Sequence, residues 1–531
     1  MQGGRLKRQL SLLDLTFLGL GAIIGSGWLY ASQKAAVLAG PSAWIAWIVG
    51  AIAVGLIGLV YAELGSALPR AGGIIRYPDY SHGPITGFLM GVAALVAYSS
   101  VASIEVEAVR GYAQQWWPAI GTASGNPTVL GWIVQLALLV FFFLLNYWSV
   151  NIFGKFNSLI TALKFIVPGL TIILFFFQFK MSNFHSHGFA IGHFTGIEQA
   201  VSTSGIIFAF LGFRQAIDFA GEARNPQRSV PFSIILAIAI GAVLYVLLQV
   251  VFVGAVPESA LKGGWTSLAY NAPFADLATI LGMGWLSFIL FADAVVSPAG
   301  TANIYLSSTA RVVFAWARTG TFPKPFAKIS NTGVPRIALW FSLILAVFWT
   351  LPFPTWNFMV NVVSSATVMT YVIGPISAMA FRKTAPNLKR PFRLGGMSVI
   401  APIAFIIASL IIYWTGWQTD YWLIGLQIVM FFVYLIIAAV SPLKNKDGLS
   451  LTTQVKSSLW LVVYYIAMLL ISYFGDTNFG GIGKIPSPWD QIALIIVSLI
   501  AFYWGLASAL KNPNLTQESP EEENDGVVSS L

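Results

Sequence analysis

Runs of about 20 apolar residues recur from one end of this chain to the other with almost no charge inside them, and nothing constrains its folding more. A run of that length crosses a bilayer as a helix. In hydrocarbon no water pairs with a free N–H or C=O, so every crossing must satisfy its own backbone, as a helix or within a closed barrel. These runs are continuous rather than alternating, which is the pattern of helices and not of barrel strands. Composition agrees. Of the 531 residues 57% are hydrophobic and 9% charged, where a soluble domain is about 25% charged. The expected class is an all-α polytopic membrane protein.

Fourteen such segments can be read, near residues 11–39, 42–68, 84–112, 128–149, 153–178, 197–221, 230–256, 280–317, 335–352, 357–381, 398–416, 421–441, 458–475 and 489–510. The first is too long for a secretory leader and no small-residue cleavage site follows it, so it reads as a retained span. Basic residues give the orientation. Of 29 lysines and arginines, only Arg110, Lys180, Lys262 and Lys484 fall on one side. Lys34, Lys164 and Arg214 lie within spans, Lys34 near its outer end. The remaining twenty-two fall on the other side, which is then cytoplasmic and carries both termini. The expected localisation is a bacterial inner membrane, crossed many times. Residues 257–279, with Pro257, Gly263, Gly264 and Pro273, read as a long external loop able to hold a short surface helix. Residues 511–531 form an acidic tail expected to be disordered.

The same composition excludes several functions. There is no cysteine, hence no disulfide, thiolate metal site or cysteine nucleophile. Three of the four histidines share the loop from His185 to His193, which disfavours a metal enzyme. No phosphate-binding loop, midspan histidine or pair of catalytic acids is evident. The chain is not expected to be an enzyme or an ATP-driven pump, and no cofactor, metal or nucleic-acid partner is indicated.

Two spans violate their own helical rules. The first contains LGLGAIIGSGWLY, residues 18–30, with four glycines at 19, 21, 25 and 27. Glycine costs a helix about 1 kcal/mol relative to alanine. The sixth, GIIFAFLGFRQAIDFAGE, residues 205–222, is interrupted by Gly205, Gly212 and Gly221. Four complete helices separate the pair. Five helices is an odd number, so two such units sit in opposite orientations. That is the inverted-repeat architecture of secondary transporters, in which matched interrupted helices mark the substrate site. Free N–H groups at a half-helix N-terminus suit a carboxylate, and free carbonyls suit an ammonium or other cation. Close helix packing is the competing explanation for such glycines.

The strings LSLLDLTFLGLGAIIGSG, YAELGSALPRAGGIIRYP (61–78), GFRQAIDFAGEARNPQRSVP (212–231) and TARVVFAWARTGTFP (309–323) resemble the amino acid–polyamine–organocation transporter superfamily. Within it, the YSHG continuation, LLNYWSV (144–150) and FWTLPFP (348–354) look most like the bacterial aspartate–proton symporter branch. The resemblance implies a five-plus-five inverted repeat of the leucine-transporter type with broken helices 1 and 6. It divides the chain into a cytoplasmic N-terminus (1–10), repeat 1 (11–180), repeat 2 (197–382), added helices (398–510) and the tail (511–531).

The resemblance also places a substrate site on the two breaks. Ile23, Ile24, Gly25, Ser26 and Gly27 would offer amides and carbonyls from helix 1, and Phe208, Ala209, Phe210 and Gly212 from helix 6. Phe208 corresponds to an aromatic that closes over the substrate, plain packing being the alternative. Relatives that carry neutral or cationic amino acids often hold a carboxylate where this chain has Arg214. An arginine grips a carboxylate with two hydrogen bonds, which favours an acidic substrate; an ion pair with Asp218 or Glu222 is the alternative. Lys164 matches the helix 5 lysine of proton-using members, whose ammonium stands in for a sodium ion and touches the helix 1 break. A buried lysine can exchange a proton near neutral pH, or it can serve as a fixed structural cation.

Glu105 and Glu107 lie roughly 200° apart on one helix, so both cannot face the path. Glu105 is the candidate accessory proton acceptor, with a pair to Arg110 or a water-interface position as alternatives. Asp293 is a second proton-carrying candidate, beside Ser297 and Thr301. Asp14 reads as a helix N-cap. Glu63 and Arg70 read as the cytoplasmic end of helix 2, as surface structure or as a gate contact. The expected function is proton-coupled import of aspartate or glutamate by alternating access, through the bilayer and with protons as co-substrate. An amino acid exchanger is the alternative within transport, and a channel the alternative from another class.

Overall fold

The computed structural model describes residues 8–148, 150–330, 332–351, 356–440, 448–513 and 515, with the backbone alone for 148, 150–159, 357 and 358. The acidic residues of the expected tail, the basic cluster at Arg5 and Lys7, and Lys444 and Lys446 lie outside them.

The helices follow the apolar runs because each run satisfies its backbone internally. The first segment is divided into α1 (Leu12–Ile23) and α2 (Gly27–Ala39). Next come α3 (Ala43–Ala67), the short α4 (Gly73–His82), α5 (Pro84–Ala113), α6 (Val129–Trp148) and α7 (Val150–Phe176). The sixth segment is a series of fragments: α8 (His193–Thr203), α9 (Ile206–Phe210), a 3-10 turn over Leu211–Arg214, and α10 (Gln215–Asp218). After it run α11 (Pro226–Ala255), α12 (Pro273–Ile280), α13 (Gly284–Thr319), α14 (Arg336–Trp349), α15 (Trp356–Tyr371) and α16 (Ile373–Thr384). Four more close the chain: α17 (Met397–Thr415), α18 (Trp417–Val440), α19 (Leu451–Phe474) and α20 (Trp489–Ser508). Among the described residues ten helices are long and apolar enough to cross a membrane, or eleven when the pair α8 and α9–α10, bent by 46°, counts as one.

The interrupted helices occupy the centre. α1 lies against α7, α11 and α13, and α3 packs along α11 while α5 packs along α13 and α15. Peripheral helices turn apolar side chains outward, among them Ile436, Ile437, Ile496 and Ile500. That exposure suits lipid.

Two local expectations are corrected. Ser11, not Asp14, is the N-cap of α1: Asp14 N donates to Ser11 Oγ at 3.2 Å, and Ser11 N donates back to Asp14 Oδ2 at 2.8 Å, a reciprocal capping box. The helix in the 257–279 region, α12, buries Phe274, Leu277 and Ala278 and exposes Thr279 and Ile280. Glu63 does not meet Arg70. Its buried carboxylate takes Arg382 Nε at 2.8 Å, Arg382 Nη2 at 2.6 Å and Leu394 N at 2.7 Å, tying the 385–396 loop to α3. Arg70 donates to Leu515 O instead.

Candidate functional site

The break in α1 is a sharp local turn. Gly25 N donates back to Ile23 O at 2.9 Å, which ends the α-helical ladder and frees the groups around it. Side chains from five other helices meet the break. Gly21 O accepts from Lys164 Nζ at 2.5 Å and from Thr301 Oγ1 at 3.0 Å. Ile23 O accepts from Tyr245 OH at 2.7 Å, and Ile24 O from Ser297 Oγ at 3.0 Å. Ser26 N, at the start of α2, donates to Glu105 Oε2 at 2.9 Å, and Ser26 Oγ accepts from Trp356 Nε1 at 2.7 Å. In this structure Ile23 O, Ile24 O and Ser26 N, expected to meet a substrate, are paired with side chains of the protein. The protein's own charges occupy both kinds of site, a carboxylate at the helix N-terminus and an ammonium at the carbonyls, as dipole complementarity favours. Gly25 permits this approach, since a β-carbon there would sit 2.5 Å from Glu105 Oε1 and 2.9 Å from Thr301 Oγ1.

The second break falls at Ser204–Gly205, with Gly205 in the left-handed region at φ +102°. It precedes Phe208 by three residues rather than following it. Phe208 rides on the short α9, its ring edge-on to Trp356 at 6.1 Å. The two breaks touch: a β-carbon on Gly27 would lie 3.0 Å from Ala209 Cβ and 3.3 Å from Phe208 Cδ1. Ala209 is a packing residue there, and its N–H is spent on Gly205 O at 2.9 Å. Phe210 points away, against Trp47 and Tyr245. Gly212 serves close packing, since a β-carbon would meet Ile23 N at 2.3 Å.

Arg214 is not at the level of the α1 break. Its guanidinium carbon lies 3.5 Å from the Tyr98 ring centroid. Tyr98 is seven residues before Glu105 on α5, about 10 Å along the axis. The ion-pair alternative is also corrected: Arg214 makes no hydrogen bond to Asp218. Glu222 belongs to Arg311, which donates through Nε at 2.6 Å and Nη2 at 3.1 Å. That pair sits beside the backbone bridge from Leu10 to Ala223.

At the opposite end a vestibule of about 510 Å³ reaches down to Tyr30 and Trp356. Lys34 lies on its wall with Nζ 4.4 Å from the Trp356 ring centroid. Glu107 faces this vestibule, bonded to Arg110 and Gln135, whereas Glu105 turns inward to the break. The two acids thus take different faces of α5, and Arg110 pairs with Glu107, not with Glu105. Asp293 is buried; its Oδ2 has no hydrogen-bond partner, so neither the Ser297 nor the Thr301 hydroxyl reaches that oxygen.

Sequence reasoning missed Tyr245, Trp356, Tyr98 and Tyr371. A lone hydroxyl within an apolar helix was the available signal for Tyr245, whereas Tyr98 sits beside Ser99 and Ser100. Trp356 carried none, being one of 19 tryptophans.

A bundle of apolar helices with two central interrupted members beneath a vestibule is a multi-pass membrane protein. The model of the amino acid permease family matches residues 10–471. The chain belongs to that family. It is 48% identical over 512 residues to the aspartate–proton symporter of Bacillus subtilis (strain 168), covering 96% of this chain and 98% of that protein. It is 39% identical over 520 residues to the glutamate/serine transporter AimA of the same organism, covering 96% of each. A branched-chain amino acid permease, BcaP, of that organism is 27% identical over 448 residues, 82% of this chain and 92% of that one.

Proposed function

We propose that this protein imports an acidic amino acid, aspartate or glutamate, together with protons, by alternating access. The observation that carries the reading is the occupation of the α1 break by Glu105 on Ser26 N–H and by Lys164 on Gly21 O. A substrate carboxylate seeks the same N–H that Glu105 holds, and only a carboxylate that lets go can make room for it. Protonation is the simplest way to release it, because a neutral carboxyl is a weaker acceptor. Proton uptake and substrate entry are then one event, with Lys164 and Asp293 as the further proton-exchanging groups. Similarity to the aspartate–proton symporter over nearly the whole of both chains supports the substrate class.

In this reading α1–α7 and α8–α16 are two inverted repeats of five spans, α17–α20 are additional, and fourteen segments cross a bacterial inner membrane with both termini cytoplasmic. Trp356, Phe208 and Tyr30 form the outer lid of the substrate site, and the Glu222–Arg311 pair its inner closure.

Reconstitution into liposomes tests it. Radiolabelled L-aspartate should accumulate when the outside is acid, and an excess of L-glutamate should compete. An obligate exchanger would move label only against preloaded amino acid, and a channel would give unsaturable currents; either result would replace the symport reading.

A further inference from the structure

Arg214 and Asp218 are both wholly buried, one helical turn apart on the broken sixth span, and they stay apart. None of the three Arg214 side-chain nitrogens, and neither Asp218 oxygen, makes a hydrogen bond of ordinary geometry. The fully buried hydroxyls of Tyr98 and Tyr371 face Asp218 and Arg214 respectively without closing a well-formed bond. Buried polar groups are otherwise almost always paired, and opposite charges one turn apart ordinarily close on each other. Here the guanidinium lies over the ring of Tyr98, with Tyr305 5.3 Å away, so its face is held while its donors stay open. The cluster presents an unspent cation and an unspent anion side by side in a place shielded from water.

The chemistry that matches such a pair is a zwitterion. It brings one carboxylate for the guanidinium and one ammonium for Asp218; the second carboxylate of an acidic amino acid adds one negative charge beside the arginine. A free dicarboxylate would have to face Asp218. Arginine has five N–H donors, enough for an α-carboxylate with donors left for an acidic side chain.

The cluster is not the far wall of the site at the helix breaks. Tyr98 and Glu105 are about 10 Å apart along α5, whereas the two carboxyl carbons of glutamate, four bonds of about 1.5 Å apart, span about 5 Å. On α13 the offset has the same sense but is shorter: Thr301 meets the break, and Tyr305, one turn or about 6 Å further on, meets Arg214. Beyond them on that helix Arg311 pairs with Glu222.

We propose that Arg214 and Asp218 form a second, inner amino acid site, in which Arg214 holds the α-carboxylate and Asp218 the α-ammonium of a substrate between the helix breaks and the Glu222–Arg311 closure. This rests on the transport reading and adds a station to it.

The test uses the full chain. A cryo-EM structure at saturating L-aspartate should show ligand density bridging Arg214 and Asp218. In proteoliposomes, Arg214→Gln and Asp218→Asn should each lose one of two L-aspartate binding sites, the remaining outer site keeping an affinity within about threefold of wild type because it is a separate locus. Their counterflow should fall at least about tenfold, with Arg214→Lys intermediate because lysine keeps the charge but not the fork. Size-exclusion profiles establish that the variants fold. Direct Arg214–Asp218 hydrogen bonds with no ligand between them, or wild-type counterflow in either variant, overturns the inner site. Loss of all binding in Arg214→Gln also overturns it, by placing Arg214 in the first site. Should the wild-type protein bind and move no amino acid at all, the transport reading fails instead.

Discussion

The Glu105 carboxylate accepts the backbone N–H of Ser26 at 2.9 Å, across 79 positions of sequence. A charge from α5 therefore fills the half-helix N-terminus that a substrate carboxylate needs. In the proposed mechanism Glu105 competes with the substrate carboxylate and carries the proton.

Glu105→Gln should fold, since an amide oxygen can still accept from Ser26 N. It should retain exchange of preloaded aspartate while losing uptake driven by a pH gradient. Liposome assays run in both modes decide it: a variant that still concentrates aspartate on a gradient removes Glu105 from the coupling.

Lys164→Gln replaces an ammonium that bridges Gly21 O and Thr301 Oγ1. Equilibrium binding of L-aspartate should survive in part, and uptake should become insensitive to the imposed gradient. Full pH dependence in the variant would leave Lys164 a purely structural cation.

Trp356→Phe keeps an aromatic surface against Phe208 and Lys34 but deletes the donor to Ser26 Oγ. One hydrogen bond is worth about 1 kcal/mol, so affinity for L-aspartate should weaken by about fivefold with the fold unchanged. An unaltered isotherm would show that the lid needs only the ring.

Gly212→Ala would drive a β-carbon to 2.3 Å from Ile23 N and 2.6 Å from Ala22 C, both backbone. Overpacking of this kind costs about 1–3 kcal/mol, read as a lowered melting temperature and weaker binding. Gly55→Ala is the control, having nothing within 4 Å of its β-carbon; it should melt no lower than wild type.

Arg311→Ala leaves Glu222 buried without its partner. Breaking a buried pair costs about 3–5 kcal/mol. The variant should melt earlier and open its inner end. Because the chain has no cysteine, a single Ser307→Cys beside it gives a clean thiol-labelling readout. Labelling that does not rise on removal of Arg311 would mean that the pair does not close that end.

The sequence by itself determined what depends on neighbours along the chain. Apolar length set the helices, and the segments read at 42–68, 84–112 and 489–510 reappear within a few residues as α3, α5 and α20. Glycine clustering set the two interruptions, because a helix fails where its own residues favour leaving it. The lone midspan lysine and the offset of Glu105 from Glu107 were legible for the same reason. Only the tertiary structure decided which groups meet. Glu105 and Ser26, Tyr245 and Ile23, and Trp356 and Ser26 are 79, 222 and 330 positions apart, and no local pattern encodes such pairs. The same holds for Arg214, whose expected partners were one turn and two turns away. Its guanidinium lies instead over a tyrosine from another helix, because buried side chains settle according to the packing of whole helices, not the spacing of residues along one of them.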